Sequence, residues 1–195
     1  ESAAKNFGAL VAMTPESLNS GTDRVAFVAR DLKGRGLAAN SDIFVNVQGD
    51  EPMLDTLSVE RSLELVRSGK FIMATPAAPM QSVSALSNPN VVKVIVAADG
   101  RAVYFSRFGI PYSRGPAPTS PADLSPRHHL GVYVYTTETL LRFADLPKSS
   151  WEAGESLEQL RALYHGIAIG VANADVATTG VDTLEDLEFV RKALR

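Results

Sequence analysis

Ile43-Phe44-Val45-Asn46-Val47-Gln48-Gly49-Asp50-Glu51-Pro52 is an apolar run that closes in a Gly-Asp turn ahead of a proline. Asp42 to Val47 reads as a buried strand. From Thr56 to Val66, Leu57, Leu63 and Val66 fall near one helical face. Phe71 to Thr75 supplies the next strand. Strand, glycine turn, helix and strand in this order argue for an α/β fold, a mainly parallel sheet covered by helices. In such open sheets ligands bind at the carboxyl ends of the strands. Asp50 stands at that position, and two readings are open for it. It is a hard oxygen ligand for a phosphate-bound Mg²⁺, or a turn residue that only ends a strand.

The alternation continues on both sides. Glu1 to Phe7 reads as the tail of a helix ending near Gly8, and its missing start signal suggests sequence upstream. Ala9 to Met13 is a short apolar run expected as a strand. Ser20 to Leu32 carries Val25, Val28, Ala29 and Leu32 at helical spacing. Val91–Ala97 and Ala102–Ser106 flank Ala98-Asp99-Gly100-Arg101, a hairpin signal. Pro111 to Pro126, rich in Pro, Ser and Gly, is expected to be a mobile surface loop. Leu130–Tyr135 and Ile167–Val171 read as strands. Thr137–Phe143, Glu155–Tyr164 and Asp182–Leu194 read as helices. We expect a single domain over residues 1–195, with an inserted hairpin subdomain at roughly 90–135.

Composition narrows the function. A net charge of −3 offers no basic surface for nucleic acid. The absence of cysteine removes disulfides, thiolate nucleophiles and Cys-ligated zinc, and is compatible with a cytosolic setting. No apolar run approaches the roughly 20 residues of a membrane span, and no signal peptide is visible. There is no G-x-x-x-x-G-K-[ST], no G-x-G-x-x-G, no G-x-S-x-G and no H-E-x-x-H.

The residues left to carry chemistry each have a plain alternative. Asp182, at a turn before a helix, is an N-cap or a second metal carboxylate. Ser20-Gly21-Thr22-Asp23-Arg24 opens a helix, where hydroxyls and free N–H groups suit a phosphate or merely cap the helix. Of His128 and His129, one is a candidate base or anion contact and the other a solvated ring. Glu158 and Gln159 sit in a helical pattern whose ordinary reading is a solvated face. Arg107 and Tyr112 follow a strand and read equally as loop chemistry.

Taken in order, Ser20-Gly21-Thr22-Asp23-Arg24, Asn46 to Pro52, Asn88-Pro89-Asn90-Val91-Val92-Lys93-Val94, Tyr104-Phe105-Ser106-Arg107 with Ile110-Pro111-Tyr112, His129-Leu130-Gly131-Val132-Tyr133, Leu157-Glu158-Gln159-Leu160-Arg161 and Gly180-Val181-Asp182-Thr183-Leu184-Glu185-Asp186-Leu187 resemble the 3-deoxy-manno-octulosonate cytidylyltransferases. The resemblance spans essentially the whole chain. It implies a three-layer nucleotidyltransferase (Rossmann-like) sheet with an inserted hairpin or dimerisation subdomain. It implies transfer of CMP from CTP to 3-deoxy-D-manno-octulosonate (Kdo) with release of diphosphate, for lipopolysaccharide synthesis, by a cytoplasmic, Mg²⁺-dependent homodimer. Asp50 and Asp182 resemble the family's metal pair. Gln48, His129, Tyr133, Glu158 and Gln159 resemble its sugar-acid contacts, with Arg107 reaching the sugar carboxylate. Ser20, Gly21, Thr22 and Arg24 resemble a nucleotide-side segment. The chain departs from the family at Leu18 and Thr136, and lacks the family's opening strand and its cationic triphosphate loop. Two alternatives remain: a cytidylyltransferase for another sugar acid, of the 8-amino-Kdo or sialic-acid type, and a non-catalytic fragment keeping the fold and the dimer surface.

Overall fold

The computed structural model describes residues 1–115, 118–120, 125–177, 180–181 and 183–194. The first helix, α1 (Ser2–Asn6), gives way to Gly8 at φ +76°. Ala9–Met13 is not the expected strand: it has no regular structure, and Leu10 and Met13 are exposed. An apolar run becomes a strand only where a sheet edge takes up its backbone groups. No described strand pairs with this segment. In α2 (Gly21–Gly34), Ser20 caps the first turn by accepting from the Asp23 N–H, and Thr22, Ala26 and Ala29 face inward.

β1 (Ile43–Asn46) runs into the quoted turn, and Asp55 then caps α3 (Thr56–Arg67) by accepting from the Leu57 and Ser58 N–H groups. The buried stripe of α3 is Ser58, Ser62 and Val66 rather than Leu57. Small hydroxyl residues let the helix lie close to the sheet, and the Ser62 hydroxyl is satisfied by the Ser58 carbonyl. β2 (Met73–Pro79), the short α4 (Val83–Ser87), β3 (Lys93–Val96) and β4 (Ala102–Ser106) follow. β3 and β4 form the hairpin that Asp99-Gly100 announces, with Gly100 at φ +88°. The expected loop at 111–126 lies partly outside the described residues.

The apolar stretch expected as one strand at Leu130–Tyr135 divides: Tyr133–Tyr135 belong to β6 (Tyr133–Thr136) as expected, while Leu130–Val132 form a break after β5 (Arg127–His129). At the break the Val132 N–H turns back to the Leu130 carbonyl, 2.8 Å away. β5 thereby pairs with β3, and β6 with β1, while both lie along β2. α5 (Thr137–Asp145) packs back on β6. The helix expected over Glu155–Tyr164 starts later, as α7 (Gln159–Tyr164); Glu155 instead ends a separate helix, α6 (Ser150–Glu155), with Ser156 at φ +52° between the two. β7 (Ile169–Asn173) and α8 (Leu184–Ala193) complete the described elements.

The α/β class is as expected, but the sheet is mostly antiparallel rather than mainly parallel. Among the described strands, only β2 and β7 pair in parallel. The βαβ reading is right about direction, because β1 and β2 both run opposite to β6. It is wrong about neighbours, because β6 inserts between them. Successive residues of a strand face opposite sides. Ala74 and Val134 accordingly pack under α3, while Met73 and Tyr135 join the larger core with Ala26, Leu140 and Phe143 of α2 and α5. The result is helix, sheet, helix. Fully burying a side chain such as Phe105 contributes roughly 1.5–3 kcal/mol.

Two close fits tie the sheet together. Lys93 is 0% exposed, and its ammonium donates to the carbonyls of Asn88 and Val91 at 2.9 and 2.7 Å and to that of Arg107. Burial lowers its pKa, and the three carbonyls supply acceptors in place of water. At Gly170, a β-carbon would fall 2.7 Å from Phe71 Cγ. Gly170→Ala should therefore cost about 1–3 kcal/mol through overpacking, read as a lower urea midpoint with an unchanged slope.

Candidate active site

The turn after β1, the β5–β6 break, the loop before β3 and the start of α7 open onto one cleft of about 730 Å³. Gln48 enters it from the turn. His129 ends β5, Tyr133 starts β6, and Gln159 is the first residue of α7, with Glu158 before it. The kink at Ser156 makes this possible. In one continuous helix Glu158 and Gln159 would follow the regular pattern of α6; here Gln159 is 3% exposed and turned into the protein.

Burial sets the protonation of the cleft. His129 is held down to about 3 by burial, with His128 adding to the effect, so its ring is neutral. Its Nε2 lies 3.0 Å from the Thr75 hydroxyl, and Phe105 meets the ring edge-on. Tyr133 is pushed well above its ordinary value, first by burial and then by Tyr135 and Glu158, so it keeps its proton. The Gln159 Nε2 is buried and has no hydrogen-bond partner. A buried amide donor left open is a position for a ligand acceptor. The Tyr135 hydroxyl, behind the cleft, sits beside Thr22 and Asn46 without meeting hydrogen-bond geometry to either.

The start of α2 joins this cleft from behind. The Thr22 hydroxyl donates to Glu158 at 2.7 Å, and a β-carbon on Gly21 would fall 3.1 Å from the Gln48 amide nitrogen. Gly21 therefore allows Gln48 to lie against the helix start. Ser20 is occupied as a cap. Arg24 donates to the Thr14 hydroxyl and to the carbonyls of Pro15 and Leu18, pinning the preceding turn. Arg107 is outside the cleft lining. Its side chain donates to the carbonyls of Glu155 and Pro89, and its N–H to the Glu155 carboxylate.

Asp50 is exposed at the tip of its turn, where its carbonyl accepts from the Val181 N–H at 2.8 Å. Asp182 lies outside the described residues. The bond from Val181 holds that stretch of backbone against the Asp50 turn. No group of three or more His, Cys, Asp or Glu side chains forms a metal cage among the described residues. The exposed Asp50 carboxylate is a hard oxygen donor, the type that hard divalent cations take.

Sequence reasoning did not assign the cleft residues Glu51, Asn88, Asn90, Glu185 and Asp186. The signal available was Asn88-Pro89-Asn90, two amides around a rigid proline, which reads first as a turn. The lining carries carboxylates and amides without Lys or Arg among its described side chains, a surface rich in acceptors for ligand hydroxyls.

The cytidylyltransferase family model matches residues 1–169. A 3-deoxy-manno-octulosonate cytidylyltransferase of Acidobacterium capsulatum is 45% identical over 98% of this chain and 73% of its own length. One from Pseudomonas syringae pv. tomato is 45% identical over 98% of this chain and 76% of its own. A CMP:2-keto-3-deoxy-manno-octonic acid synthetase solved in complex with CTP superposes with a TM-score of 0.85, at 36% identity, over 99% of this chain and 75% of that one. A glucose-1-phosphate thymidylyltransferase described as putative, from Bacillus anthracis, shares the fold at 13% identity and a TM-score of 0.60.

Proposed function

We propose, from the premise that this chain belongs to the 3-deoxy-manno-octulosonate cytidylyltransferase family, that it couples CTP to Kdo, giving CMP-Kdo and diphosphate. The observation that carries this reading is convergence. Gln48, His129, Tyr133, Glu158 and Gln159, drawn from four separate parts of the fold, line one cleft beside the Asp50 turn.

The anomeric hydroxyl of Kdo gives up its proton to solvent as its oxygen bonds to the α-phosphorus of CTP, the α–β anhydride bond breaks, and diphosphate leaves. Gln48, Gln159 and the Tyr133 hydroxyl present donors to the sugar acid, while Glu158 and neutral His129 accept from its hydroxyls. Asp50 and Asp182 are the residues that would hold Mg²⁺. When bound, Mg²⁺ lowers the pKa of the attacking hydroxyl and offsets charge at the phosphorus. The cleft's own contribution is positioning, since reacting groups held about 3–3.5 Å apart need no random encounter. Ser20, Gly21, Thr22 and Arg24 form the nucleotide-side segment through the Thr22–Glu158 bond and the turn that Arg24 fastens. Arg107 serves the sugar end indirectly in this reading, by fixing the 155–156 turn ahead of Glu158.

A cytoplasmic homodimer working for lipopolysaccharide synthesis belongs to the same proposal. What supports a second copy is an apolar groove with Phe108 and Tyr112 exposed beside Leu86 and Ile110. No described helix is long and apolar enough to cross a membrane.

The test is diphosphate release by the purified protein with CTP and a panel of Kdo, 8-amino-Kdo and sialic acid. Turnover with Kdo is expected to exceed the others by about 10²-fold or more, because a site built to hydrogen-bond hydroxyls rejects ligands that leave its polar groups unpaired. Preference for another sugar acid reassigns the substrate. No release with any of them removes the catalytic reading.

A further inference from the structure

Thr75 lies in the middle of β2, is 0% exposed, and has no place in the cleft lining. Its hydroxyl oxygen is 2.6 Å from the Val132 carbonyl, 3.2 Å from the Leu130 carbonyl and 3.0 Å from His129 Nε2. A hydroxyl has one proton to give, and carbonyl oxygens can only accept. Two oxygens 2.6 Å apart need that proton between them, so it belongs to Val132. Thr75 then faces His129 with a lone pair, and Nε2 must supply the proton of the third contact. The imidazole is neutral, with room for one proton. That proton is on Nε2, and Nδ1 is bare. This tautomer follows from the hydrogen-bond inventory around the ring.

We propose that Thr75 is a positioning residue which fixes His129 as the Nε2–H tautomer, so that His129 reads its ligand as an acceptor, through Nδ1. The contact it makes is to a hydroxyl proton. A carboxylate or phosphate oxygen carries no proton and finds a lone pair facing it there. His129 is thus a reader of sugar hydroxyls that turns anionic groups away from its end of the cleft. The carbonyls that commit Thr75 are those of the β5–β6 break, so the kink that opens the cleft also sets the chemistry of its histidine. The ligand's identity in this inference rests on the sugar-acid reading above; the tautomer does not.

The experiment has a spectroscopic and a kinetic arm. Long-range ¹H–¹⁵N spectra of the ¹⁵N-histidine-labelled protein, without ligand at neutral pH, should show His129 with a protonated Nε2 and an unprotonated Nδ1. An Nδ1–H tautomer, or an even mixture, overturns the proposal whatever the substrate is. Thr75→Val should shift His129 toward a mixture. It should also raise KM for Kdo roughly tenfold, the scale of one hydrogen bond, with KM for CTP and kcat nearly unchanged. Thr75→Ser keeps the oxygen and should restore both the spectrum and KM. A folded Thr75→Ser protein that behaves like Thr75→Val, or equal losses in both KM values and kcat, overturns the role given to the hydroxyl. If Thr75→Val does not fold, the unmodified protein and Thr75→Ser decide the matter. Failure of the substrate panel with an Nε2–H ring intact would separate the loss of the Kdo reading from the loss of this one.

Discussion

Asp50→Asn is expected to lower kcat for CMP-Kdo formation by about 10²–10³-fold, the equivalent of several kcal/mol of charge stabilisation at the reacting phosphate. The substitution keeps size and removes one charge. Asp50 is exposed, and the turn is held by its backbone carbonyl, which accepts from Val181, not by its carboxylate. Stability should therefore stay within about 0.5 kcal/mol of the unmodified protein. Steady-state diphosphate release, measured alongside a urea melt, separates the two effects. A kcat within twofold of the unmodified protein would take Asp50 out of the metal site. If Mg²⁺ is titrated, the variant should also need a higher concentration for half-maximal rate.

The largest stability effect should come from Arg161→Met. Arg161 donates through Nε and Nη2 to the two oxygens of Glu152 at 2.8 and 2.6 Å, and the two side chains are only 5% and 9% exposed. The guanidinium also packs over the Phe143 ring. Removing it strands a buried carboxylate, which costs about 3–5 kcal/mol. A urea midpoint shift well short of that would show that Glu152 finds water or another partner. The pH dependence has a definite sign. Burial pushes the Glu152 carboxyl up, but the Arg161 hydrogen bonds and charge, helped by the Ser149 N–H, prevail and hold it below its ordinary value of 4.5. Its stabilising contribution is therefore present above that value and lost as pH falls through the depressed one. The gap between the unmodified protein and Arg161→Met should narrow in the same acid window. Arg161 also lies 3.4 Å from Glu158, so the variant is expected to loosen the cleft as well as the core.

Local pattern made much of the fold legible. Capping residues, the Asp99-Gly100 turn and the apolar runs mark where α2, α3, β1 and the β3–β4 hairpin occur, because those signals act within a few residues. Which strands become neighbours is decided at long range. Nothing inside Ile43–Val47 or Phe71–Thr75 says that Tyr133–Thr136 will come between them. The break at Ser156 also escaped notice, since a left-handed residue is usually announced by glycine or asparagine, and here it is a serine. Ala9–Met13 misled for the opposite reason: it has a strand's composition and no described edge to pair with. Grouping Gln48, His129, Tyr133, Glu158 and Gln159 came from the ordered resemblance, not from any local rule, and the fold brings them to one cleft. The burial of Gln159 ran against the ordinary reading of a polar residue in a helical pattern. Ser20 and Arg24 show the structural roles their positions allow, a helix cap and a turn clamp, alongside the nucleotide role proposed for them.

The hydrogen bond from Val181 to Asp50 has a consequence for biosynthesis. Its two ends are separated by most of the polypeptide, and Glu185 and Asp186 of α8 line the same cleft as Gln48. While the chain is being translated, the sheet can begin to assemble as soon as its strands leave the ribosome tunnel, yet the cleft lacks the lining that Glu185 and Asp186 supply until α8 emerges. A nascent chain that stops short of α8 would thus hold much of the scaffold without a complete cleft.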